Sequence, residues 1–191
     1  IGLVSGFVVG FTVSRLHVPS FMVTLAMLIG LRGFCNALLS AWGQVYNPDG
    51  LGELSSFGAS MVLVIILIVV VGYVFEKTSF GYYCKGMGEN ENTVKSTGVD
   101  TAKVRHIAYI ISGVTAAIMG VVLISSVGGS STTLGQFMEM KIQMAIILGG
   151  VLVTGGMKSK IYKLILGSLS ITVITNGLTL SGAGGGLSEL V

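Results

Sequence analysis

The chain has 191 residues, 52% hydrophobic and 10% charged, with a net charge of +3 and a mean hydropathy of +0.88. A charged share less than half of the ~25% usual in soluble domains excludes an ordinary water-soluble fold. Without a Lys/Arg cluster there is also no basic face to neutralise phosphates, which excludes a nucleic-acid binder.

A helix that crosses ~30 Å of hydrocarbon needs ~20 residues with few charges. The charge-free intervals here run 1–14, 16–31, 33–48, 54–75, 106–138, 142–157 and 164–188. They predict an all-α, polytopic transmembrane helical bundle, one domain over 1–191 with six segments: 1–14, about 19–40, about 57–75, about 104–125, about 141–156 and about 161–180. The chain opens on Ile1, inside an apolar run and with no basic stretch before it, so a longer protein truncated on its N-terminal side is expected.

In the first segment Gly2, Gly6 and Gly10 recur every four residues, a spacing that lets membrane helices approach closely. In the second, Arg32 lies some thirteen residues in, or ~20 Å deep at ~1.5 Å per residue. An Arg at that depth costs ~2.5–3.5 kcal/mol on insertion scales unless it snorkels to the outer interface or faces a polar path. The third segment, Ala59–Phe75, is rich enough in Val and Ile to suggest a strand, but it is too long for one, and lipid demands that backbone groups bond internally.

The polar stretch that follows, Phe80–Val99, has a centre of mixed charge at Glu89–Thr97, bracketed by Gly86 and Gly88 on one side and Gly98 on the other. A short helix with flexible ends is expected there, with Glu89, Asn90, Glu91, Asn92 and Lys95 available to dock a partner; the plain alternative is a solvated loop. In the fifth segment the pairs Gly149-Gly150 and Gly155-Gly156 break an already short apolar run between Lys141 and Lys158. Such a segment suggests a discontinuous, hinge-like helix near a transport path. Uncharged polar residues inside the apolar runs are Thr24, Asn36, Gln143, Thr172, Thr175 and Asn176. With Arg32 they are candidates to line a polar path, and each taken singly also suits a helix-to-helix hydrogen bond.

Orientation follows from basic residues collecting on the cytoplasmic side. If the ends at Arg15, 76–105 and 158–163 share a side, that side holds nine of the eleven Lys and Arg. The opposite side has Trp42–Phe57, with Asp49 and Glu53 but no Lys or Arg, and the Gly/Ser/Thr-rich Ser126–Met140. This places 76–103 in the cytoplasm.

Catalytic chemistry finds no constellation. Gly58-Ala59-Ser60 is followed by Met61 where a serine turn would want glycine, and His106 starts its helix on the opposite face; His17 has no acid within ten residues. Gly150–Lys158 resembles a phosphate loop only superficially, because Met157 separates Gly156 from Lys158. Cys35 and Cys84 lack metal-ligand spacing and a disulfide framework. No enzyme activity, cofactor or metal is expected, and energy from ATP would have to come from a partner.

Three blocks carry a family resemblance. His17–Gly33, HVPSFMVTLAMLIGLRG, resembles the Pro-Pro-Phe-Ile-Val-Thr-Leu-Gly … Arg-Gly signature of bacterial ABC importer permeases of the ribose, xylose and galactoside type, a family that also imports the signalling sugar autoinducer-2. Phe80–Val99 is similar to that family's cytoplasmic loop, and Ile142–Leu178 to its Leu-Gly-Gly … Asn-Gly-Leu block. Cys84 and Lys85 stand where the family usually has aliphatic residues, and Asn92-Thr93 replaces a small Ala pair. The resemblance implies a type II ABC importer permease fold in a bacterial inner membrane. It also implies ATPase subunits docked on 80–99, an extracytoplasmic solute-binding protein and a second permease subunit. Branched-chain amino acids or nucleosides remain open as solutes, and from another class so does a channel or scaffold subunit without an ATPase.

Overall fold

Lipid offers no water to an open backbone, so its apolar segments close their hydrogen bonds within helices. The computed structural model of the chain describes residues 1–16, 18–42, 45–46, 56–130, 134–152 and 155–181. His17, Asp49 and Glu53, singled out above, lie outside the described residues. Within them, in chain order, are α1 (Gly2–Leu16), α2 (Ser20–Trp42), β1 (Val45–Tyr46), α3 (Phe57–Lys77), α4 (Ser79–Glu89), α5 (Glu91–Ser96), α6 (Thr101–Val127), β2 (Gly129–Ser130), α7 (Met138–Leu148) and α8 (Ile161–Leu180).

Four of these, α2, α3, α6 and α8, are long and apolar enough to cross a bilayer, and α1 is a shorter apolar helix. Several of their hydroxyls bond back to their own helix: Thr24 Oγ1 donates to Ser20 O at 3.0 Å, Thr115 to Ile111 O at 3.0 Å and Thr172 to Ser168 O at 2.7 Å. The fifth apolar run differs from the 141–156 expectation, because α7 stops at Leu148. A Schellman turn ends it: Gly150 takes φ +69°, its N–H donates to Ile147 O at 2.9 Å, and Val151 N–H reaches back to Ile146 O at 3.1 Å.

The described residues group into two units. In the first, residues 1–75 with 98–134, α1 packs antiparallel along α6. Gly2 lies against Gly113 and Ala117, Gly6 against Tyr109 and Ile110, and Gly10 against His106. Val9, Val13 and Val104 are buried in this unit. Asp100 caps α6 by accepting from Lys103 N–H at 3.2 Å, and Gly128, at φ +80°, ends it. That backbone bond, and then the Lys103 ammonium, hold the Asp100 carboxyl below the usual carboxylate range. β1 pairs antiparallel with β2, Val45 opposite Ser130 and Tyr46 opposite Gly129, which joins the two stretches the charge pattern assigns to one membrane side.

In the second unit, residues 76–97 with 135–191, α7 and α8 pack antiparallel and α4 packs on α5. Gly149 lies against the Lys163 carbonyl and Gly167 against the Ala145 carbonyl, so a side chain at either position would meet backbone. Ala145 and Ile171 are buried there.

Candidate functional site

The polar stretch between α3 and α6 holds two helices, not one with loose ends. Thr78 caps α4 by accepting from Gly81 N–H at 3.4 Å. At Asn90 the chain turns extended, and this one residue serves both helices: its N–H donates to Gly86 O at 2.9 Å, closing α4. Its side-chain oxygen accepts from Asn92 N–H at 3.0 Å and Thr93 N–H at 3.3 Å, opening α5. Glu91 and Lys95 pair across one turn of α5 at 3.1 Å, with the acid near the positive helix end and the base near the negative one.

The glycines have separate geometric reasons. Gly86 lies inside α4, where a Cβ would come within 3.0 Å of Val94 Cγ2, so its smallness lets α5 fold back onto α4. Gly98 takes φ +81° just after α5, a backbone favourable to glycine. Gly88 and Glu89, in the last turn of α4, lie beside the turn at Gly155 and Gly156: a Cβ on Gly155 would sit 3.7 Å from Gly88 Cα, and one on Gly156 would sit 3.9 Å from Glu89 Cγ. Gly155 and Gly156 both have positive φ, +82° and +124°. The end of α4 and the second glycine pair therefore meet.

A further link escaped the sequence reading. α8 starts at Lys160 with no side-chain cap of its own, and its first N–H, on Ile161, donates to Glu76 Oε1 at 3.2 Å. A carboxylate is placed there at the positive end of a helix. The detectable signal was a helix preceded by Lys with no Ser, Thr, Asp or Asn at the cap position, so its orphan N–H groups needed a partner from elsewhere.

Among the uncharged candidates, Thr24, Asn36, Gln143, Thr172, Thr175 and Asn176, the three threonines already donate to carbonyls of their own helices. Asn36 on α2, Gln143 on α7 and Asn176 on α8 are exposed, and Arg32 on α2 is partly exposed. Thr24, Arg32 and Asn36 belong to the first unit, and Gln143 and Asn176 to the second. Tyr82 on α4, which the sequence reading did not select, is 56% exposed and adds an aromatic surface to the polar helices. Partial burial pushes the Cys84 thiol up to about 11. No cluster of His, Cys, Asp and Glu suited to a metal occurs among the described residues.

Known proteins are similar to this sequence along nearly all of its length. It is 32% identical over 185 residues to the autoinducer 2 import system permease protein LsrC of Photorhabdus luminescens, covering 94% of this chain and 56% of that protein. The fructose import permease protein FrcC of Rhizobium meliloti is 29% identical over 197 residues, covering 95% of this chain and 54% of that protein. The ribose import permease protein RbsC of Escherichia coli K12 is 27% identical over 191 residues, covering 95% and 59%. The chain thus spans about half the length of the curated relatives it matches. No solved structure matches it. The family described as "Branched-chain amino acid transport system / permease component" matches residues 1–191, from end to end, and the helical membrane protein described here belongs to that family.

Proposed function

We propose that residues 1–191 form a permease domain of an ATP-driven importer for a sugar or sugar-like solute in a bacterial inner membrane, catalysing no bond chemistry itself. Relatives named for autoinducer 2, fructose and ribose import support the solute class. The assembly would include a second permease subunit, two ATPase subunits on the cytoplasmic face and an extracytoplasmic solute-binding protein. Thr24, Arg32, Asn36, Gln143 and Asn176 would line the path, offering hydroxyl partners while the binding protein supplies most of the affinity.

The observation that carries the reading is the approach of the last turn of α4, at Gly88 and Glu89, to the turn at Gly155 and Gly156. In the proposed cycle 76–103 faces the cytosol, and α5 with the end of α4 sits in a groove of the ATPase. The ATPase must contact these helices differently in its two nucleotide states, because a partner that binds both equally shifts nothing. Displacement of α4 then passes through Gly88 and Glu89 to the Gly155-Gly156 turn, and so to α8. Gly149-Gly150, which ends α7, would supply the second bend of this hinge.

The test places a cysteine at Asn92, which is exposed and outside the Glu91–Lys95 pair. With its thiol held neutral at working pH, Cys84 competes little, since the thiolate is the reactive form. Co-expressed with ATPase subunits carrying groove cysteines, Asn92→Cys should form a nucleotide-dependent crosslink. Failure at every groove position would sink the coupling role and favour a channel or scaffold. A branched-chain amino acid as solute, which the family description brings in, is separated from a sugar by uptake competition with each.

A further inference from the structure

A cavity of about 600 Å³ lies between the last turns of α1 and the first turns of α6. Because the two helices run antiparallel, the end of α1 and the start of α6 reach the same membrane surface. The cavity's lining changes with depth. At the helix ends it has Arg15 and Lys103; further along α1 it has Phe11 and then Phe7, with Ile107 of α6. At ~1.5 Å per residue the two phenylalanines lie ~6 and ~12 Å below Arg15. Their rings stack 6.4 Å apart, and His106 meets Phe7 edge-on at 5.0 Å, which makes a continuous aromatic wall.

The charges at the mouth do not cancel. Asp100 also lines the cavity, but it is spent on Lys103, 3.2 Å away, while Arg15 has no ion pair or hydrogen bond among the described residues. Beside Arg15, Ser14 is 8% exposed and its hydroxyl has no partner. Six helix serines among the described residues donate to a carbonyl one turn back, as Ser170 does to Leu166; Ser14 shares its buried, unpartnered state only with Ser125, which does not line the cavity. A buried hydroxyl left unbonded is costly unless something else fills its place.

We propose that this cavity binds one anionic phospholipid, its phosphate held by Arg15 and the Ser14 hydroxyl and its acyl chains lying along Phe11, Phe7 and Ile107. Free phosphate would satisfy the mouth and leave the aromatic depth empty, whereas a lipid fills both. A zwitterionic lipid would bring its own cation next to Arg15 and Lys103. The proposal needs only that the chain sits in a bilayer and does not rest on the importer reading.

The test is native mass spectrometry of the full-length permease in neutral detergent, with phosphatidylglycerol, phosphatidylcholine or inorganic phosphate added. Phosphatidylglycerol should be retained in preference to phosphatidylcholine. A basic residue at an anionic surface contributes ~1 kcal/mol, so Arg15→Gln should lower that retention about fivefold. Ser14→Ala should lower it in the same direction, Arg15→Lys should restore it, and Lys158→Gln should leave it unchanged. Unchanged retention in Arg15→Gln would overturn the proposal, as would equal retention of the two lipids. Displacement of phosphatidylglycerol by inorganic phosphate would reassign the cavity to a free anion and also overturn it.

Discussion

Glycine 113 and glycine 120 stand two turns apart on α6 and should respond oppositely to the same substitution. A methyl group on Gly113 would meet the backbone of α1 at Gly2 and Gly6, whereas nothing lies within 4 Å of the space a Cβ would fill at Gly120. Backbone cannot rotate away as a side chain can, so Gly113→Ala should destabilise the α1–α6 pair by about 1–3 kcal/mol. Gly120→Ala, at an open helical position, should be neutral or slightly stabilising. Denaturation in mixed micelles, followed by proteolysis at the α1–α6 pair, measures both; equal effects would mean that the helices do not approach as closely as described. The spacing of Gly2, Gly6 and Gly10 announces a close contact from sequence alone, but their partner on α6 is not legible there. Gly113 is one glycine in an apolar run, and only the fold tells it from Gly120.

Asn90 makes the polar segment two elements instead of one. α5 has six residues, too few to be stable by propensity, so it depends on its cap and on packing against α4. Asn90→Ala removes the acceptor for Asn92 N–H and Thr93 N–H, at a cost of about 1 kcal/mol. Amide exchange across Val94–Ser96 should then quicken about fivefold, while Asn90→Asp, which keeps the acceptor, should restore the parent rate. Unchanged exchange in Asn90→Ala would mean that packing at Gly86 and Val94 alone holds α5. The segment's polarity and charge pattern are readable in the sequence, but its break into two helices is not. Gly86 and Gly88 suggest loose ends because glycine is a poor helix former. Inside α4, however, the missing side chain at Gly86 makes room for Val94, and packing overrides propensity. α7 gives the complementary lesson: Gly149-Gly150 is visible as an interruption, yet only the backbone reveals that Gly149 is small because of Lys163 and that Gly150 is glycine because of its positive φ.

Among the described residues, apolar surface is left largely outside: α3 has no buried residue, so lipid or further protein must cover it. Helices held mainly by surroundings they do not supply can be moved by few contacts, which gives the Glu76–Ile161 bond its weight. Glu76, which belongs to the second unit, accepts from the first N–H of α8 across 85 positions of sequence. If the proposed transport cycle moves α8 through the Gly155-Gly156 turn, this bond keeps Glu76 moving with it. Glu76→Ala leaves the Ile161 N–H without its acceptor, at ~1 kcal/mol or more, and removes the negative charge from the helix end. Glu76→Gln retains an acceptor oxygen and loses only the charge. In the assembled transporter in proteoliposomes, Glu76→Ala should still fold and still let the ATPase turn over, but with solute uptake per ATP hydrolysed reduced severalfold; Glu76→Gln should fall between it and the parent. Equal loss of hydrolysis and uptake would point instead to failed assembly. Parental uptake in Glu76→Ala would show that α8 does not need the Glu76 cap, and that movement reaches it through the glycine turn alone.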